Sequence, residues 1–192
     1  MARGDDHLDA SKLLSQHLQQ LAAACTEAPA LDLACGAGRN GLYLLGNDIP
    51  VVFADRNSAS LEKIRQQLAA GYPASQRDRA RLWEVELEAP GARPLEGVRF
   101  GAIAVFRYLH RPLMEGIKNA LVPGGLLIYE TFTLAQAAIG RPRNPDFLLR
   151  PGELREAFGQ WQVLHDFEGM ERDPVSGQPR AIAQLVAQKP PD

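Results

Sequence analysis

Asp32-Leu33-Ala34-Cys35-Gly36-Ala37-Gly38-Arg39-Asn40-Gly41 is the stretch on which the reading of this chain turns. A short apolar run, Ala30 to Ala34, leads into the glycines, and Arg39 to Leu45 carries a helical pattern after them. The segment reads as strand, tight turn, helix. Gly36, Gly38 and Gly41 satisfy Gly-x-Gly-x-x-Gly, in which glycine permits positive φ and leaves the backbone bare for a ligand to approach. Alone the pattern is unspecific. Asp55 adds to it, because it follows the β-branched and aromatic run Val51-Val52-Phe53-Ala54 and stands nineteen residues after Gly36, where a carboxylate can accept both hydrogen bonds of a ribose diol. Asp55 could instead cap the next helix, a role that Asn57 and Ser58 can also fill.

Outward from this pair the alternation continues. Leu61, Ile64 and Leu68 mark a helical face that stops at Gly71 and Pro73. A third strand is expected over Arg81 to Leu87 and a fourth over Gly101 to Phe106, after which Pro112 opens a helix with Leu113, Ile117 and Leu121 inward. Pro123-Gly124-Gly125 ends that helix and starts Leu126-Leu127-Ile128-Tyr129, a strand apolar enough to be buried on both faces. Beyond Phe132 a loop rich in proline and arginine runs to Arg150, then a helix carries Leu154, Ala157 and Phe158. Trp161 to Phe167 and Ala181 to Ala187 read as an antiparallel hairpin. The fold expected is α/β: a doubly wound, mostly parallel seven-stranded sheet with a C-terminal hairpin.

The 192 residues, 45% of them hydrophobic, suit one domain over 1–192, with a helical segment in 1–28 (one amphipathic helix from Asp9 to Cys25) and a substrate-side loop in 133–150. A net charge of −2 gives no global field for nucleic acid or anionic membrane, although arginines cluster at 77–81 and 141–150. The first residues lack a signal-peptide pattern and no apolar run is long enough to span a bilayer, so a cytoplasmic location is expected. Cys25 and Cys35 lack metal or redox spacing, and His7, His17, His110 and His165 stand far apart, so no metal site is expected.

Through Leu31 to Gly38 and the acidic end of the second strand, the chain resembles class I S-adenosylmethionine-dependent methyltransferases over nearly its whole length, and the Pro123-Gly124-Gly125 turn resembles them too. The resemblance implies a Rossmann-like methyltransferase fold with S-adenosylmethionine as cofactor and S-adenosylhomocysteine as product. It implies that Asp32 helps to hold the methionine end, that Asp55 binds the ribose, and that Glu86 accepts from the adenine amino group while Leu87 covers the ring. Aspartate is commoner than glutamate at the place of Glu86. Ala34, Gly36, Gly38, Asn40, Arg56 and Phe106 complete the cofactor-binding candidates. The stretches Arg107 to Pro112, Tyr129 to Phe132 and Gly140 to Leu149 look like a bacterial subgroup near the tellurite-resistance type. Where such proteins often carry Asp and Asn, this chain has Gly101 and Arg107.

Ligands of open parallel sheets lie beyond the carboxyl ends of the strands, which here are Phe106 to Arg111 and Glu130 to Phe132. If an acceptor must lose a proton, His110 is the first candidate because an ordinary imidazole titrates near ~6.5. Glu130 is the second, and Tyr108 is a candidate wall of the transfer channel. Arg107 could hold an anionic acceptor. The expected function is metal-independent methyl transfer to a small soluble acceptor by a monomer or homodimer, with nucleic acid disfavoured as a partner and no membrane partner expected. Methylation of RNA and a non-catalytic S-adenosylmethionine-binding module are the alternatives. Nicotinamide binding is disfavoured because Asp32 would add negative charge beside a pyrophosphate.

Overall fold

The computed structural model describes residues 10–174 and 176–191, so Asp9 and the start of the N-terminal segment lie outside the described residues. A seven-stranded sheet runs β3-β2-β1-β4-β5-β7-β6. The strands are β1 (Ala30–Leu33), β2 (Val51–Asp55), β3 (Ala80–Glu84), β4 (Phe100–Phe106), β5 (Leu121–Phe132), β6 (Gln162–Arg172) and β7 (Pro179–Gln188). β1 to β5 pair in parallel, whereas β7 runs antiparallel to β5 and β6 antiparallel to β7. The order reverses between β1 and β4, the place where crossovers turn to opposite faces and leave a crevice.

The crossover helices are α3 (Arg39–Gly46), α4 (Ser58–Gly71), α5 (Ala74–Arg77) and α6 (Leu113–Ala120), preceded by α1 (Lys12–Gln16) and α2 (Leu18–Ala24) and followed by α7 (Glu153–Phe158). Alternate residues of the central strands enter separate cores on the two faces: Leu31, Ile103 and Leu127 join one, Ala30, Ala102 and Ile128 the other. Both faces are dry, which explains why these strands read as unbroken apolar runs. Asn57 caps α4, its side chain accepting from Ala59 N and Ser60 N at 3.0 and 3.2 Å. Among the described residues no helix is long and apolar enough to cross a membrane.

Four elements differ from their expected form. The single N-terminal helix is broken at His17, whose backbone (φ −111°, ψ 20°) leaves the helical region where its ring packs edge-on against His165 at 6.0 Å. β3 stops at Glu84, and two residues on the Glu86 carboxylate accepts from Glu88 N at 2.9 Å and turns the chain away. β5 begins at Leu121 rather than Leu126: Phe100 pairs with Leu121 and Ala102 with Leu126, so residues 122–125 bulge out of the ladder around Gly124 (φ 74°). The terminal hairpin is longer than its apolar centres suggested, because its outer rungs are polar residues held by the ladder itself.

The loop after β5 is pinned. Arg111 grips Glu153 through Nε (2.6 Å) and a second nitrogen (2.9 Å) and donates to the Asp146 and Leu148 carbonyls. The buried Gln136 side chain donates to the Arg141 carbonyl at 3.0 Å and accepts from Ala181 N at 2.8 Å. Gly101 answers a different constraint, since a Cβ there would collide with the Ala24 carbonyl and lie 2.7 Å from the Ala28 carbonyl. Backbone oxygens cannot swing aside as a side chain would. Gly101→Ala is therefore expected to cost about 1–3 kcal/mol, the range for overpacking, read as a lowered urea midpoint at unchanged m-value.

Candidate active site

The carboxyl ends of β1, β2 and β4 converge on the glycine turn. Gly36 (φ 54°) and Gly38 (φ 78°) are left-handed, and a Cβ on Gly38 would stand 2.7 Å from Ile64. A Cβ on Gly41 would strike the Phe53 ring and lie 2.9 Å from Asp32 Oδ2. Gly36 differs, because its missing side chain would meet nothing within 4 Å. The turn thus packs its later glycines against the fold and offers the first one to open space.

Two carboxylates hold this turn. Asp32, 3% exposed, accepts from Gly41 N at 2.8 Å, and Asp55 accepts from Gly36 N and Asn57 N, each at 2.8 Å. Burial pushes the Asp32 carboxyl up to about 7, against the Gly41 hydrogen bond and Arg39, which favour its charged form. Asn40, also buried, accepts from Ser11 N at 3.0 Å and so ties the N-terminal segment to the start of α3.

Two cavities meet here and share Ala34. One, of about 200 Å³, is bordered by Asp55, Arg56, Val85, Glu86, Leu87 and Tyr108. The other, of about 680 Å³, is bordered by Asp32, Gly36, Arg39, Asn40, Phe106 and Arg107, with Asp173 and Ser176 of the β6–β7 turn over it. Of the cofactor candidates only Gly38 stays off both linings. Arg56 and Glu86 are exposed and lie 3.5 Å apart, and Leu87 is buried.

A third cavity, of about 360 Å³, lies under the N-terminal segment beside Arg39, Arg107 and Arg180. Its polar floor is a network that local pattern did not reveal. Arg180 bridges Glu130 (3.2 Å) and Asp173 (3.6 Å) and also bonds Glu171, while Gln184 donates to the other Glu130 oxygen at 2.8 Å. Asp173 in turn pairs with Arg107 at 2.7 Å. Glu130 is thus buried and paired, and it borders this cavity. The Tyr108 hydroxyl is buried, and burial with the Glu88 carboxylate beside it raises its pKa. His110 borders none of these cavities, and its carbonyl accepts from Leu113 N at 3.0 Å at the entry to α6. Asp173 and Arg180 had no sequence signal beyond lying in a polar connection, and Arg39 stood unremarked among the glycines.

A family described as "Tellurite resistance protein TehB" matches residues 6–77. No curated protein matches the chain. Among solved structures, TehB from Haemophilus influenzae aligns with a TM-score of 0.66 at 19% identity over 91% of this chain, which spans 62% of the length of that protein. The glycopeptide N-methyltransferase MtfA, solved with S-adenosyl-L-methionine, gives 0.63 at 19% identity over 97% of this chain and 89% of its own. The N-methyltransferase NodS from Bradyrhizobium japonicum WM9 gives 0.65 at 12% identity over 92% of this chain and 94% of its own. The fold is the Rossmann-like fold of these methyltransferases.

The raised Asp32 pKa has a consequence for stability. Between about pH 4 and pH 7 the folded chain binds more protons than the unfolded chain, so the Asp32 contribution to stability falls as pH rises through that window. Thermal unfolding followed from about pH 5 to pH 8 should show a weaker loss of stability with rising pH in Asp32→Asn than in the parent. Parallel pH curves for the two proteins would remove Asp32 from the titrating groups.

Proposed function

We propose that this chain is a class I S-adenosylmethionine-dependent methyltransferase that acts on a small soluble acceptor, with its finer affiliation near the tellurite-resistance type. The observation that carries the reading is the pair of cavities joined at Ala34, one beside Asp55 and the other beside Gly36 and Asp32. An elongated ligand with a nucleoside at one end and a charged amino acid at the other suits that pair. Asp55 spends one lone pair of each oxygen on backbone amides and retains acceptor capacity for a ribose diol. Val85 and Leu87 give the same cavity apolar surface for a flat base, and Glu86 stands at its rim to accept from an exocyclic amine. Asp32, Asn40 and Arg39 border the other end, where an ammonium and a carboxylate need partners. Ala34, Gly36, Gly38, Arg56 and Phe106 complete the cofactor set. When bound, S-adenosylmethionine supplies an activated methyl on sulfur for in-line displacement.

The chain's own task is then to place the acceptor and exclude water, and proximity with orientation is worth about 7 to 11 kcal/mol. Glu130 is engaged by Arg180 and Gln184, so its part is to fix Arg180 and, through the shared Asp173, Arg107. Tyr108 walls the channel, whereas His110 borders none of these cavities and stands at the entry to α6, so no base role is assigned to it. The match to the tellurite-resistance family over residues 6–77 supports the finer affiliation. Nicotinamide binding fits less well, because the Gly36 amide that would face a pyrophosphate already donates to Asp55 and two carboxylates flank the turn.

Calorimetric titration with S-adenosylmethionine, S-adenosylhomocysteine and NADH separates the cofactor classes. Binding of both adenosyl ligands without NADH is the expected result, and NADH binding alone would overturn the reading. Asp55→Ala should weaken S-adenosylhomocysteine by about 1–3 kcal/mol, the range for losing a hydrogen bond to a charged group.

A further inference from the structure

Five large hydrophobic side chains are exposed among the described residues, and three of them, Leu134, Ile139 and Phe147, belong to the loop after β5. Phe147 is 49% exposed and stands on the wall of a cleft of about 290 Å³, close to the lower end of the usual range for small-molecule sites. Tyr108, Leu109, Phe132 and Pro142 form the rest of its apolar lining. The cleft does not depend on a loose loop, because Arg111 bonds the backbone on both sides of Phe147, at Asp146 and Leu148. Phe147 is therefore held partly in water over a preformed apolar space. A ring laid against it would recover about 25 cal/mol for each Å² of apolar surface covered.

Two charged residues border the cleft, and they have opposite signs. Glu88 and Tyr108 also border the Asp55 cavity, while Arg107 also borders the Gly36 cavity. The cleft accordingly adjoins the nucleoside side at one rim and the amino-acid side at the other. Arg107 carries five N–H donors, and its contact with Asp173 uses one nitrogen. A carboxylate is attracted to the Arg107 rim and repelled from the Glu88 rim, so the charge pair fixes one orientation.

From this geometry we propose that the cleft is the acceptor subsite and that it takes a small aromatic carboxylic acid, ring against Phe147 and carboxylate toward Arg107. The assignment rests on the methyltransferase reading and narrows its substrate class. The probes are benzoate, acetate and benzylamine, each titrated calorimetrically into the protein with S-adenosylhomocysteine present, after the affinity for S-adenosylhomocysteine has been measured separately. Benzoate should bind at least about tenfold more tightly than acetate, which lacks the ring, and than benzylamine, which reverses the charge. Phe147→Ala should weaken benzoate by about fivefold and leave S-adenosylhomocysteine unchanged, since Phe147 borders neither the Asp55 cavity nor the Gly36 cavity. Arg107→Gln should abolish the preference for benzoate over benzylamine. Equal affinities for benzoate and acetate, or an unchanged benzoate affinity in Phe147→Ala, would overturn the proposal while S-adenosylhomocysteine binding kept the methyltransferase reading intact. Benzoate binding without S-adenosylhomocysteine binding would overturn both that reading and the acceptor role of the cleft.

Discussion

The hydrogen bond from the Gly41 amide to the buried Asp32 carboxylate joins the end of β1 to the first turn of α3, and the arrangement of the site follows from it. A carboxylate removed from water is costly, and a backbone N–H at 2.8 Å offsets part of that cost only if α3 approaches closely. The approach leaves no room for side chains at positions 38 and 41, where Ile64 and Phe53 occupy the space. The chain therefore turns within the glycines, and Gly36 is the one left facing outward. Asp55, arriving from β2, accepts the Gly36 amide and fixes that exposed point against the next strand. Two neighbouring strands, β1 and β2, each contribute a carboxylate to the same turn, and the two cavities open beside it.

This part of the molecule was legible because its determinants are local. The glycines, Asp32 and Asp55 each lie within a few residues of a strand end, and the strands announce themselves as apolar runs buried on two faces. The N-terminal helix was misread for the opposite reason. Leu14 and Leu21 are buried as helical spacing demands, yet the chain breaks between them at His17, whose ring meets His165 on the far hairpin. Periodicity records which face is apolar and carries no information about a partner nearly one hundred and fifty residues away. The extension of β5 was hidden similarly, since Pro123 and Gly124 look like a terminator and are accommodated as a bulge between paired residues.

The surroundings of Glu130 and Tyr108 were only half visible. Residue type nominated Glu130, Tyr108 and His110, but type alone does not reveal partners. Glu130 lies inside a network of Arg180, Asp173 and Gln184 contributed by the terminal hairpin, where Asp173 and Arg180 read in sequence as an ordinary polar connection and Gln184 as one residue of a strand. Buried ion pairs of this kind are held by mutual hydrogen bonding, so removing one member strands the others. The network spreads the charge of Arg180 over three carboxylates, and Arg107 joins it through Asp173.

The two positions at which the chain departs from the family it resembles separate on these grounds. Gly101 lines none of these cavities and is fixed by the carbonyls of Ala24 and Ala28, so its identity belongs to the packing of the N-terminal segment on β4. Arg107 is the reverse case. It adopts φ 55°, a left-handed conformation that costs a branched or long side chain free energy, just after β4 and on the rim of three cavities. Its amide donates to the Glu130 carbonyl at 2.8 Å and its guanidinium to Asp173, contacts that hold the strained backbone in place. A glycine would satisfy that φ without strain, and an asparagine with less. That an arginine stands there instead assigns the position to what its side chain reaches, the junction of the Gly36 cavity, the arginine cavity and the aromatic cleft.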